Sequence, residues 1–338
     1  MTEFLTLLLG AAFIAAAPLI LAGIGEMVLE RSGAGFNLGL DGIMLVGALA
    51  GVLGSVAAGP WVGLLTGLAV GVAGGLVYAV SVALGLDVVL TGIAISIVGA
   101  GASTYAFEVI APAGQTNISG PLLPTVTVPG LAELPVVGPP LRTLSVGLWL
   151  AVAVALVAAW ALRFTRAGLR MRAAADRETA VQRGIAVGRY RLVAALIAGG
   201  LAGVAGATLT LTTIGTFTPL MTGGRGFLVL AVVIIGRQTA SGVAAGAALF
   251  AVMDGLGLLA QTRDLGLPTE AYHALPYLAA LIVLCVHAAR QTRRDTRRIS
   301  DGPIPTSSPV TPGADVLPSD TQDSRPHPKG SPHGRPNS

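Results

Sequence analysis

The sequence predicts an all-α membrane protein, a polytopic bundle of about nine transmembrane helices, with eight to ten as the range. Of its 338 residues, 53% are hydrophobic and 11% are charged, and the mean hydropathy is +0.76. Soluble domains carry about 25% charged residues, so this composition excludes an ordinary soluble fold. Apolar stretches near the length of about 20 residues that crosses a bilayer recur along the chain. Basic residues are concentrated in two stretches, as is typical of multi-pass membrane proteins.

Nine apolar stretches are the predicted spans. In chain order they are roughly 4–24, 38–58, 61–84, 88–110, 144–162, 192–214, 227–236, 240–260 and 274–289. The seventh is too short for a regular crossing, so we expect a half-helix or re-entrant segment that protein surrounds on all sides. Two stretches, GALAGVLG (47–54) and GGLAGVAG (199–206), are similar to each other, as the inverted repeats of a transporter would be.

Arginines predict the orientation of the chain. Residues 163–191 hold eight of them, and a second cluster occupies 290–298. Between Arg31 and Arg142 there is no lysine or arginine. Since basic loops stay in the cytoplasm, both clusters should be cytoplasmic and the 111–142 connection extracytoplasmic. Nine spans then place the N-terminus outside and the C-terminus in the cytoplasm.

The last residues, 299–338, differ from the rest in composition. They hold nine prolines among serine, glycine, aspartate and threonine, and cannot bury an apolar face. We therefore predict a transmembrane domain at 1–298, without a signal peptide, and a disordered cytoplasmic tail at 299–338 that is either solvated or a docking segment. Arginine is frequent whereas lysine occurs once, at Lys329, which favours a bacterial chain and hence the bacterial inner membrane.

Glycine recurs every four residues along the third predicted span. In lipid, small residues on one stripe of a helix let neighbouring backbones approach closely. We expect the stripe to be a helix-packing surface, and it consists of Gly63, Gly67, Gly71 and Gly75.

Enzyme and cofactor motifs are absent from the sequence. There is no H-E-x-x-H and no C-x-x-C, and the chain has a single cysteine, Cys285. A nucleotide-binding P-loop needs a lysine, and the only one lies in the tail. We therefore expect no metal, no bound cofactor and no catalysis by this chain. The net charge of +4 follows the arginine clusters and gives no reason to expect nucleic acid as a partner.

Polar residues inside the spans are the candidates for function. Asn37 and Asp41 flank the start of the second span, where they either cap a helix N-terminus or line a functional path. Hydroxyls in the fourth span either line that path or hydrogen-bond between helices. The candidates for a translocation path or gate are Asn37, Gly39, Asp41, Gly42, Thr91, Ser96 and Ser103.

The basic segment 163–191 is the most organised polar part of the chain. Residues 168–182 contain no proline and no internal glycine, which predicts one short helix, and Gly184 is a suitable helix stop. The segment is either a solvated loop or a docking helix for a cytoplasmic partner. The candidate contact residues are Arg170, Arg172, Arg177, Glu178 and Gly184.

The stretch ERSGAGFNLGLDGIMLVGA (30–48) resembles the signature of the integral-membrane permeases of ATP-binding-cassette (ABC) importers, in the branch of branched-chain amino acid, ribose and nucleoside systems. It is most similar to the nucleoside and simple-sugar type, whose pattern usually reads E-R-[SA]-G-x-x-N-I-G-x-E-G. Asp41 stands where that pattern has glutamate. The stretches GLRMRAAADRETAVQRGI (168–185), GGRGFLVLAVVIIGR (223–237) and LPYLAALIVL (275–284) are also similar to the family.

This resemblance implies a subunit that forms half of a translocation path. Its partners would be a second permease subunit, a cytoplasmic ABC ATPase that binds the ATP, and an extracytoplasmic substrate-binding lipoprotein. Segment 168–185 would be the coupling segment that sits in a groove of the ATPase. The substrate would be a nucleoside or a related simple sugar. A branched-chain amino acid permease is the alternative within the family, and a secondary transporter or a membrane scaffold is the alternative outside it.

Overall fold

The computed structural model describes residues 2–112, 114–126, 144–212, 215–261, 277–278, 281–282 and 285. In this part of the chain the fold is all-α, and the predicted class is confirmed. The helices are α1 (Thr2–Arg31), α2 (Leu40–Ala58), α3 (Pro60–Ala83), α4 (Val88–Ile110), α5 (Val146–Phe164), α6 (Arg166–Ala173), α7 (Arg177–Gln182), α8 (Val187–Thr212), α9 (Arg225–Ile235) and α10 (Ala240–Gln261). Four two-residue strands form two antiparallel pairs: β1 (Ile118–Ser119) with β4 (Thr216–Phe217), and β2 (Thr125–Val126) with β3 (Leu144–Ser145).

Seven of the described helices are long and apolar enough to cross a membrane. They correspond to seven of the nine predicted spans, and α9, with 11 residues, is the segment predicted to be short. The predicted ninth span, 274–289, lies mostly outside the described residues, and so does the predicted tail at 299–338. The chain is therefore a multi-pass membrane protein.

Helix α1 continues beyond its predicted end at residue 24 and includes Glu26 and Glu30. One oxygen of each carboxylate has a hydrogen-bond partner in the bundle. The backbone N–H of Asn37 donates to Glu26 at 2.7 Å, and the side-chain amide of Gln238 donates to Glu30. A buried polar group with a hydrogen-bond partner costs far less than an isolated one, so the helix can continue.

Helices α2 and α8 form the centre of the bundle, and α3 packs against both. Gly71 and Gly75 of the glycine stripe touch the α8 backbone at Gly199 and Ala195. A Cβ at Gly67 would lie 3.0 Å from the Gly203 carbonyl oxygen, and one at Gly63 would meet the α2 backbone. The four glycines of the predicted stripe thus lie where three helix backbones meet without intervening side chains.

The basic segment 163–191 contains two short helices, α6 and α7, so the prediction of one helix over 168–182 was wrong. The break at 174–176 has a local cause. The Asp176 carboxylate accepts from the Thr179 backbone N–H at 3.3 Å and from the Thr179 hydroxyl at 2.6 Å, which starts a new helix at Arg177. Hydrogen bonds from the Thr179 hydroxyl, and then from its N–H, hold the pKa of Asp176 below its usual value.

The expected helix stop at Gly184 is present. The N–H of Ile185 donates to the Ala180 carbonyl at 2.9 Å, and the N–H of Gly184 donates to the Val181 carbonyl at 3.0 Å. This pair of bonds is the Schellman motif, which needs a left-handed residue after the helix. Gly184 has a φ of +69°, which glycine adopts at no steric cost.

The chain between β4 and α10 passes from one end of the bundle to the other. Phe217 packs against Phe107 near the C-terminal ends of α2 and α4, with ring centroids 5.9 Å apart. Gln238, just after α9, reaches Glu30 at the opposite end, where α1 finishes. The stretch between them consists of turns up to Gly224 and then α9. The predicted half-helix therefore crosses the bundle together with an irregular segment.

Candidate functional site

Asp41 lies in the first turn of α2 and joins it to the start of α9. One carboxylate oxygen accepts from the Gly226 backbone N–H at 3.0 Å, and the other accepts from the Thr222 hydroxyl at 3.2 Å. The side chain is 9% exposed. Gly226 is in the first turn of α9, where backbone N–H groups have no partner within the helix and the helix dipole favours an anion. Asp41 thus serves as an acceptor for a helix 185 residues away in sequence.

Neither Asn37 nor Asp41 caps the N-terminus of α2, and Asp41 accepts instead at the N-terminus of α9. The residue before α2 is Gly39, and no side chain caps that N-terminus. Asn37 instead forms a local turn, in which its side-chain oxygen accepts from the Gly39 N–H at 2.8 Å. Its own backbone N–H donates to Glu26, which is fully buried in α1. Asn37 therefore fixes the turn that leads into α2.

The loop between α1 and α2 has a second support from α3. The hydroxyl of Tyr78, a fully buried residue, lies 3.1 Å from the Ala34 carbonyl and 3.3 Å from the Phe36 carbonyl, and donates to them. Irregular backbone away from water needs such partners, because lipid offers none. The loop is held by Glu26 from α1 and by Tyr78 from α3.

Gly39 and Gly42 allow α4 to approach the start of α2. A Cβ at Gly42 would lie 2.7 Å from the Ser96 Cα, and a Cβ at Gly39 would lie 2.8 Å from the Ile95 Cβ. Ser96 is half-buried at this contact. The two candidate glycines at the start of α2 therefore allow close packing between α2 and α4.

The other two hydroxyl candidates of α4 lie elsewhere along it. Ser103 is fully buried, and its hydroxyl donates to the Ala100 carbonyl of its own helix at 3.0 Å. Thr91 is buried at the edge of an apolar cavity of about 440 Å³ between α2, α3 and α4. Its hydroxyl has no hydrogen-bond partner among the described residues. The structure thus brings Asn37, Asp41 and Ser96 together near the start of α2. Thr91 lies next to Gly92, which packs on Leu38, whereas Ser103 lies farther along α4.

A charged pair lies next to the start of α9. A guanidinium nitrogen of Arg225 is 2.8 Å from an Asp254 carboxylate oxygen of α10. These residues, with Thr222 and Tyr277, line a cavity of about 240 Å³. The Tyr277 hydroxyl donates to the Gly223 carbonyl. Ionisable residues in a spanning bundle are costly unless paired, and here each has a partner of opposite charge.

The basic segment 163–191 touches the loop between α1 and α2. A Cβ at Gly33 would lie 2.6 Å from the Ala175 Cα, so the two backbones are in direct contact. The candidate contact residues Arg170, Arg172, Arg177 and Glu178 are all exposed. A partner that moves α6 and α7 would therefore press on the loop before α2.

Sequence reasoning missed Glu26, Thr222 and Arg225. Glu26 carried a signal, a carboxylate beside an apolar run, but the span was ended before it. Arg225 also carried one, because it lies outside both arginine clusters. Thr222 had none: it meets Asp41 only because the fold joins positions 181 residues apart.

Comparison with known proteins identifies the family of this chain. The family described as the permease component of branched-chain amino acid transport systems matches residues 8–284. This chain belongs to that family. It is 35% identical over 271 residues, 78% of this chain and 80% of the relative, to a Haloferax volcanii protein provisionally named a glucose ABC transporter permease. No solved structure matches the chain.

Two further relatives of this permease are named for nucleosides. The guanosine ABC transporter permease of Bacillus subtilis is 29% identical over 298 residues, 83% of this chain and 92% of the relative. The nucleoside ABC transporter permease of Lactococcus lactis is 31% identical over 285 residues, 80% of this chain and 88% of the relative. The resemblance first seen at residues 30–48 therefore extends over most of the chain, and the permease assignment is confirmed.

Proposed function

We propose that this chain is the permease subunit of an ABC importer and forms half of a translocation path for nucleosides or related simple sugars. The names of the three relatives, which refer to glucose, guanosine and nucleosides, support this substrate class. Branched-chain amino acids are the second candidate, because the family description names them.

The observation that carries a transport role is the break at the start of α9. Irregular backbone within a spanning bundle is tolerated where protein buries it or where it lines a path for solutes. Transporter sites are typically built from such discontinuous helices, with half-helix N-termini pointing at the site. Here the turns before Gly224, the α9 N-terminus and Asp41 come together beside the cavity that holds the Arg225–Asp254 pair. A scaffold would have no use for this arrangement.

We assign the energy source to a separate chain. Neither a P-loop nor a group of metal-ligand residues is present in the described part of this protein, and ATP would be bound by a cytoplasmic ABC ATPase. The remaining partners would be a second, homologous permease and an extracytoplasmic substrate-binding lipoprotein, with no cofactor in this chain and no nucleic acid. The N-terminus would lie outside and the C-terminal tail in the cytoplasm, as the arginine clusters indicate.

Coupling would pass through the contact between the basic segment and the loop before α2. The ATPase would bind Arg170, Arg172, Arg177 and Glu178 on α6 and α7, with Gly184 fixing the end of α7. Movement there would reach Gly33 through Ala175, then the start of α2 and Asp41. Because Asp41 holds the α9 N-terminus, the loop before α2 and the turns before α9 would move together.

The test is reconstitution of this chain with an ABC ATPase, a second permease and a substrate-binding lipoprotein from the same organism. Nucleosides should stimulate ATP hydrolysis and enter the proteoliposomes, whereas leucine and valine should not. Stimulation by the amino acids alone would move the assignment to the second candidate. Uptake by this chain without the ATPase, driven by an ion gradient, would show a secondary transporter and refute the proposal.

A further inference from the structure

A basic cavity lies where α6, α7 and the beginning of α8 meet. Its volume is about 570 Å³, and three arginines line it: Arg170, Arg183 and Arg189. The lining contains no aspartate or glutamate. None of the three forms a salt bridge within the described part of the chain. Three cations around one cavity without an acidic neighbour repel one another, and an anion between them would remove that repulsion.

An apolar groove adjoins this cavity. It has a volume of about 590 Å³ and runs between α1, α3, α5 and α8. Its lining has one polar side chain, Thr165, whose hydroxyl donates to the Ala161 carbonyl and is therefore satisfied. Ala167, Met171 and Val193 line both the cavity and the groove. The basic cavity and the apolar groove thus lie side by side and share these three residues as a common wall.

The basic cavity and the apolar groove also differ in their position along the candidate membrane-spanning helices. The groove is lined by residues of four candidate membrane-spanning helices and of α6. The basic cavity begins where α5 ends at Phe164 and α8 begins at Val187, which are the ends of two of these candidate spans. A ligand that fills both spaces needs an anionic head and an apolar chain.

We propose that the cavity and groove together bind one anionic phospholipid. Its phosphodiester group lies between Arg183 and Arg189, Arg170 stays available for the proposed ATPase contact, and an acyl chain follows Met171 and Val193 into the groove. A free phosphate would use only the cavity, and a neutral membrane lipid would gain little from the arginines. The 163–191 segment, which also touches the loop before α2 at Gly33, is then held against the membrane by a lipid.

The first experiment measures head-group selectivity with the purified full-length chain. The chain is titrated with phosphatidylglycerol, or with phosphatidylcholine of the same acyl chains, and bound lipid is counted by native mass spectrometry. Phosphatidylglycerol should bind more tightly. An arginine near an anionic lipid contributes about fivefold in affinity, so Arg183→Gln with Arg189→Gln should weaken binding about 30-fold. The matched control, Arg163→Gln with Arg166→Gln, removes two arginines of the same segment outside the cavity and should change affinity little.

The second experiment tests the acyl-chain part of the site. Val157 lines the groove, and Val157→Trp should fill it and weaken phosphatidylglycerol binding without affecting inorganic phosphate, which serves as the head-group probe. Val157→Phe repeats the test with less added volume, and gel filtration checks that both variants fold.

Unchanged lipid affinity in both, with competition by inorganic phosphate, would identify a free-phosphate site and overturn the proposal. Equal binding of the two lipids, or full binding by the arginine double variant, would also overturn it. So would loss of ATPase co-purification in that variant with lipid binding intact, since the cavity would then be a protein docking surface.

Discussion

Replacing Asp41 by alanine should destabilise the start of α9. The Gly226 N–H would lose its acceptor, and an unpaired buried N–H costs about 1–3 kcal/mol. The α9 N-terminus would also lose a carboxylate, which is worth about 0.3–1 kcal/mol at a helix N-terminus. The buried Thr222 hydroxyl would lose its acceptor as well. Since hydrogen bonds in membrane bundles often contribute only about 0.6 kcal/mol, we expect a total near 2 kcal/mol.

Asp41→Asn separates the need for an acceptor from the need for a charge. The amide oxygen of asparagine can still accept from the Gly226 N–H, and its NH₂ can donate to the Thr222 hydroxyl oxygen. Asparagine also caps helix N-termini about as well as aspartate. We therefore expect this variant to lose less than about 1 kcal/mol of stability. Asp41→Glu should also be mild, because the related sequence pattern carries glutamate at this position.

The assay has two readouts, thermal unfolding of the purified chain and nucleoside uptake by the reconstituted importer. Alanine should lower both, while asparagine and glutamate should stay near wild type in both. An asparagine variant that is as unstable as the alanine variant would refute the acceptor argument. An asparagine variant that is stable but does not transport would show that Asp41 acts through its charge. Wild-type behaviour in every variant would leave the contact without a function.

Three further predictions follow from close contacts and from the topology. Gly203→Ala should cost about 1–3 kcal/mol in thermal unfolding, because its Cβ would meet the α3 backbone, whereas Gly101→Ala, with nothing within 4 Å, should be neutral. Gly184→Val should weaken ATPase co-purification while insertion into the membrane stays normal, since a β-branched residue opposes a φ of +69°; normal co-purification would contradict the coupling role. In intact cells and on a cysteine-free background, Thr116→Cys should react with an impermeant thiol reagent and Ala175→Cys should not; equal labelling would contradict the proposed orientation.

The sequence predicted the fold class and most helix positions because those depend on local composition. Apolar length, arginine clusters and glycine spacing are each properties of a continuous stretch of chain. The short α9 was also predictable, since an apolar run near 227–236 is simply too short to cross. The prediction failed where a side-chain hydrogen bond interrupts a helix. Asp176 accepts from the Thr179 N–H and starts a new helix inside the single helix that was expected.

The candidate site was predicted only in part, because its bonds join distant positions. The pattern around Asp41 marked a polar break, but no local signal could reveal that the partner of Asp41 is Gly226. The sequence left two readings of Asp41 open, a helix cap or a functional path, and the structure shows its carboxylate accepting at the N-terminus of a distant helix, α9. Glu26 could have been predicted as a functional candidate from the sequence. It is a carboxylate near the end of an apolar run, and such a residue inside a span is a candidate for function.

The stretch NLGLDG at 37–42 places two hydrogen-bond acceptors, Asn37 and Asp41, on either side of the first residue of α2. Backbone N–H groups of an irregular segment must find partners within the protein, because lipid supplies none. Asn37 accepts the Gly39 N–H on one side, and Asp41 accepts the Gly226 N–H on the other. Both acceptors sit on the same short piece of chain, so the turn before α2 cannot shift without moving the α9 N-terminus. We infer that the two breaks act as one mechanical unit, which a push from Ala175 on Gly33 would displace as a whole.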